Sequence, residues 1–95
     1  MRVVFTPREN GPDRLVSEAE LVFDTEPAPL IGIKLVGFCI WKSPEGELYV
    51  TFPSRAFGAG SERRYFDFLR SVEGAAGPVK ALKQHILDEF KKQVG

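Results

Sequence analysis

The run Ile31-Gly32-Ile33-Lys34-Leu35-Val36-Gly37-Phe38-Cys39-Ile40-Trp41-Lys42 decides the architecture. It is rich in β-branched and aromatic residues and reads as a strand. Strict alternation puts Ile33, Leu35, Cys39 and Trp41 on one side, with Val36, Phe38 and Ile40 on the other. A strand apolar on both faces is expected to be central and covered twice, by a helix, a loop or a second subunit. The run is too short to span a bilayer and is interrupted by Lys34, so a membrane segment is excluded.

The flanks supply its neighbours. Upstream, Leu15 to Asp24 alternates: Leu15, Ser17, Ala19, Leu21 and Phe23 point one way, and Glu18, Glu20 and Asp24 the other. That is a half-buried antiparallel strand with one wet face. Val3-Val4-Phe5 reads as a shorter first strand, joined to it through a turn at Asn10-Gly11. The two prolines of Glu26-Pro27-Ala28-Pro29 mark a loop. Downstream, Ser43-Pro44-Glu45-Gly46 has the residue preferences of a type I turn. Leu48, Val50 and Phe52 return on a strand that Pro53 ends. Residues 54–63 read as a flexible Gly-containing loop, Arg64 to Leu69 as a last strand, and Glu73 to Gly77 as a second joint.

Pro78 suits the first position of a helix. Val79, Leu82, Ile86, Phe90 and Val94, with Leu87 beside them, recur at spacings of three and four and form one apolar stripe. Lys91 and Lys92 suit the negative end of its dipole. The expected fold is therefore α+β, an antiparallel sheet of four to five strands packed by one C-terminal amphipathic helix.

At 95 residues the chain has room for a single domain, residues 1–95. The formal net charge is +0, which by itself points to no polyanionic partner. The halves differ: residues 1–50 hold five Lys/Arg against eight Asp/Glu, and residues 51–95 hold eight against five. Cys39 is the only cysteine, so no intramolecular disulfide or thiolate cage can form, and it is expected to act as a small buried hydrophobe. The first residues lack the apolar core of a signal peptide, and the cytoplasm is the expected compartment.

No catalytic set emerges, and the chain is read as a non-enzyme with no cofactor, no metal and no small-molecule substrate. His85 has Asp88 and Glu89 at i+3 and i+4, but no second cluster completes a metal site. Gly58-Ala59-Gly60 lacks the strand–loop–helix context of a phosphate loop and reads as a hinge. Glu45 and Glu47 are solvated turn residues. The informative set is Arg55, Arg63, Arg64 and Arg70, interleaved with Phe57, Tyr65 and Phe66. Guanidinium groups beside aromatic rings suit nucleic acid, where charge follows phosphate and rings stack on bases.

Gly46-Glu47-Leu48-Tyr49-Val50-Thr51-Phe52-Pro53-Ser54-Arg55, followed by Arg64-Tyr65-Phe66-Asp67 and a helix ending Ile86-Leu87-Asp88-Glu89-Phe90, resembles the SpoVG family of bacterial septation and sporulation regulators. The resemblance covers nearly the whole chain in element order and is specific mainly over residues 46–55 and 64–67. It implies a homodimer that binds DNA and RNA with loose sequence preference through the basic loop 55–64. Arg55 matches the basic residue after Pro-Ser, and Arg63 or Arg64 the far side of the loop. The chain departs from the family at Ala56, where a second basic residue is usual, and over residues 71–77, which replace the segment leading into the helix. A different class of function, a protein-interaction or structural module of the same fold, would use the aromatic sheet for a partner instead.

Overall fold

The computed structural model describes residues 1–8 and 13–94, of which Val94 only in its backbone, so the turn expected at Asn10-Gly11 lies outside the described residues. Four strands, β1 (Arg2–Pro7), β2 (Leu15–Val22), β3 (Lys34–Lys42) and β4 (Leu48–Thr51), form an antiparallel meander in chain order. Two more, β5 (Ser54–Phe57) and β6 (Arg64–Asp67), pair, among the described residues, only with each other. The helix α1 (Pro78–Val94) closes the chain. The α+β class expected from the sequence is therefore the observed one.

One face of the meander carries the core. Val3, Ala19, Leu21, Phe38, Ile40, Val50 and Phe52 are buried together with Ile86 and Phe90 of α1. Val79, Leu82 and Leu87 complete the helical stripe at its margins. Phe90 meets Phe5 edge to face at 5.2 Å, and Phe52 meets Phe38 in the same way at 5.4 Å. The Lys83 ammonium lies 5.1 Å from the Phe52 ring centroid, and Gln93 donates to the Val3 carbonyl. At the helix start the Val79 amide donates to the Ser71 hydroxyl, which satisfies one of the otherwise unpaired first-turn donors. Ser17, the one buried polar residue among the described residues, has its hydroxyl within bonding distance of the Thr6 and Glu18 carbonyls.

Two bulges change the faces that simple alternation predicts. Ala19 pairs with Phe38 and Leu21 with Leu35, so Val36 and Gly37 together oppose Glu20. Gly37, at φ 101°, takes the left-handed conformation that such a bulge uses. Leu35 is thereby carried to the core face, where it packs beside Phe38 and Ile40, and Val36 is exposed. These two assignments are the reverse of the expected ones. On β2, an extra residue at Val16 turns Leu15 to the opposite face, beside Trp41, while Val16 packs inward.

Strand β3 also begins later than expected, at Lys34. The Ala28–Leu30 turn and Gly32 bring the chain in through bonds from the Gly32 amide to the Phe23 carbonyl and from the Phe23 amide to the Ile33 carbonyl. Its second face is only partly covered by the described residues. Cys39, expected to be buried, is half-buried there, flanked by Glu18 and Thr51. Burial pushes its thiol up from the ordinary value, and the Glu18 carboxylate adds to this. Trp41 lies between Leu15 and Tyr49 on the same face and donates from Nε1 to Thr51 Oγ1 at 2.8 Å. Among the described residues no helix is long and apolar enough to cross a membrane.

The helix is held to the sheet chiefly by Ile86 and Phe90, which are 0% and 6% exposed. Phe90→Ala is expected to cost about 3–5 kcal/mol, the range for emptying a buried aromatic site. Chemical denaturation reads this directly. A loss below about 1 kcal/mol would mean that α1 does not cover the sheet.

Candidate nucleic-acid interface

The segment expected to be a loop, residues 54–63, is half of a β-hairpin. Pro53 has no amide proton for the β3 ladder, and its place in the β3–β4 register falls opposite Gly37, at the bulge. The chain leaves the sheet there. Ser54–Phe57 then pairs with Arg64–Asp67 in the register Ser54–Asp67, Arg55–Phe66, Ala56–Tyr65 and Phe57–Arg64. A bond from the Phe68 amide to the Pro53 carbonyl extends the ribbon to its root. Strand β6 thus stops at Asp67, short of the expected Leu69. The tip is a 3-10 turn over Gly60–Glu62. Gly58 is required just before it: at φ 83° a side chain is strained, and a Cβ would lie 2.7 Å from the Glu62 carbonyl oxygen.

The register explains what the ribbon presents. Each strand carries the triplet Arg-x-Phe, Arg55-Ala56-Phe57 and Arg64-Tyr65-Phe66. Alternation puts the Arg and Phe of each triplet on one face, and the antiparallel pairing sets each Arg opposite the Phe of the other strand. Phe57 and Phe66 meet on the diagonal, edge to face, with ring centroids 5.3 Å apart and planes at 74°. The Arg55 guanidinium carbon sits 5.0 Å from the Phe57 centroid, a cation–π contact. Arg55 and Arg64 therefore flank an aromatic pair. Arg70, three residues past β6, joins Phe57 and Phe66 in lining an open groove of about 330 Å³.

The structure thus brings Arg55, Arg64 and Arg70 together, with Phe57 and Phe66 between them. Arg63 stands apart: it caps the 3-10 turn, outside the ladder. All four arginines are exposed, and none forms an ion pair among the described residues, whereas Arg2, Arg8, Lys34 and Lys92 each have a carboxylate partner. Ala56 lies on the opposite face with Tyr65, so its lack of charge does not interrupt the arginine face. The interleaving of these residues was visible in the sequence, but the shared face of Phe57 and Phe66 was not. The repeated Arg-x-Phe spacing was the signal that could have revealed it.

Other candidates stay separate. His85 is exposed on α1 and lines a groove with Glu89 and Gln93. Among the described residues no three His, Cys, Asp or Glu side chains come close enough to hold a metal ion. Comparison with known protein families, curated proteins and solved structures finds no match to this chain.

Proposed function

We propose that the chain is a nucleic-acid-binding regulatory protein of the kind its resemblance to the SpoVG family implies, acting as a homodimer and not as an enzyme. The observation that carries this reading is the β5–β6 face, where Arg55 and Arg64 flank Phe57 and Phe66 and have no carboxylate partner among the described residues. A cation already neutralised by an acidic neighbour has little to offer a phosphate, and these are not neutralised. Arg55, Arg64 and Arg70 meet the backbone from one side, with Arg63 reaching it from the ribbon tip. The net charge of zero is compatible with this role because the cations are concentrated locally.

The dimer reading is supported by apolar surface elsewhere. Beyond Gly37 the N-terminal half of β3 pairs, among the described residues, only with β2, and Ile31, Ile33 and Val36 are each about half exposed along or beside its open edge. Open, apolar strand edges are natural pairing sites. The same surface favours the second reading, an interaction module that takes a different partner.

Each phosphate contact releases condensed counterions, so affinity must fall with salt. For these four contacts per subunit the log–log slope is expected to be about −3 on single strands and about −4 on duplex, doubling if both subunits engage. Arg55→Ala should flatten it by roughly one contact and weaken all sequences alike, since phosphate contacts position without specifying. Removing Lys91 and Lys92 at the helix end should matter less. Equal losses would indicate diffuse electrostatics without a site.

Sedimentation equilibrium at micromolar concentration should give twice the chain mass of 10.6 kDa. A monomer at high concentration would remove the dimer from this account and leave the open β3 edge without a copy of the chain to cover it.

A further inference from the structure

We infer that the groove lined by Phe57, Phe66 and Arg70 takes an unpaired nucleobase, making the ribbon a single-strand reader that discriminates against duplex. This rests on the nucleic-acid reading above and adds to it the state of the strand and the residues that sense it.

The phosphate contacts cannot make that distinction, because duplex and single strand both offer phosphates. The rings can. Phe57 and Phe66 are 46% and 45% exposed, on one face of a two-stranded ribbon. Their planes stand at 74° in edge-to-face contact, and the open groove lies beside the pair. Arg70 bounds the same groove, and Arg55 lies against Phe57. At about 330 Å³ the groove is at the lower end of small-ligand sites, enough for one planar ring system. Stacking requires a base face, and in a duplex those faces are occupied by neighbouring base pairs. Arg55 and Arg64 take one diagonal of the ribbon face and the rings the other, so the order cation, ring pair, cation along the first matches the alternation of phosphate and base along a single strand. A base laid against the rings leaves Arg55 and Arg64 to the phosphates on either side.

The test compares three probes at one salt concentration: a labelled oligothymidylate, the same strand annealed to oligoadenylate, and a strand of equal length built of abasic sites. The oligothymidylate should bind most tightly. Phe66→Leu keeps the apolar bulk and removes the aromatic face. It should weaken oligothymidylate binding roughly 5- to 150-fold, the cost of losing one base stack, and bring it to the level of the other two probes. Tyr65→Leu, on the opposite ribbon face, should preserve the preference and controls for ribbon integrity. If all three probes bind equally and with a steep salt dependence, the stacking inference is overturned while the phosphate reading stands. If Tyr65→Leu abolishes the preference and Phe66→Leu does not, the base lies on the other face and the assignment is wrong. Failure of every probe to bind at low salt overturns both.

Discussion

Pro53 lies directly across Gly37, and most of what is distinctive in this molecule depends on that crossing. A Cβ on residue 37 would come within 3.0 Å of the Pro53 Cβ, and Gly37 itself sits at φ 101°. A side chain there would face both backbone strain and a close contact. Proline removes the donor that would have continued the β3–β4 ladder, and glycine provides the bulge past which the proline can pack. Together they end the sheet on one side at a defined residue.

Two consequences follow from that break. The chain after Pro53 no longer has β3 as a partner and must satisfy its backbone elsewhere, which it does by folding back on itself as the β5–β6 ribbon. The N-terminal half of β3 is left with an open edge and exposed aliphatic side chains. The ribbon with its arginines and rings, and the open β3 edge, are two products of one local arrangement. The core face, by contrast, is closed conventionally by α1, and its packing does not involve the ribbon.

Much of the fold was legible in the sequence. The alternation of Ser17, Ala19 and Leu21 against Glu18 and Glu20 marks the buried face of β2 correctly, and the spacing of Val79, Leu82, Ile86 and Phe90 marks the face of α1. These succeed because burial on one side imposes a fixed period. The assignment of Leu35 and Val36 fails because a bulge inserts one residue and inverts every side chain before it, and a single glycine inside an apolar run gives little warning of it. The ribbon was hidden for another reason. Its residues are all exposed except Asp67, so no hydrophobic period marks β5, and its glycines resemble those of an unstructured loop. The arginines could be singled out from charge alone. Their common face with Phe57 and Phe66 is a property of register, which pairs residues about ten apart through a turn whose geometry only the folded chain reveals.

The crossing can be tested with two glycines that share a positive φ and differ in surroundings. Gly32, at φ 89°, has nothing within 4 Å of where a Cβ would stand, whereas Gly37 faces Pro53. Alanine at either position carries the cost of a left-handed residue, about 1–2 kcal/mol, but only at Gly37 must a neighbour also move. Measured by denaturant unfolding, Gly37→Ala should be more destabilising than Gly32→Ala by roughly 1–3 kcal/mol, the range for overpacking. Equal losses at the two positions would contradict the account, because Pro53 would then not be packed against Gly37.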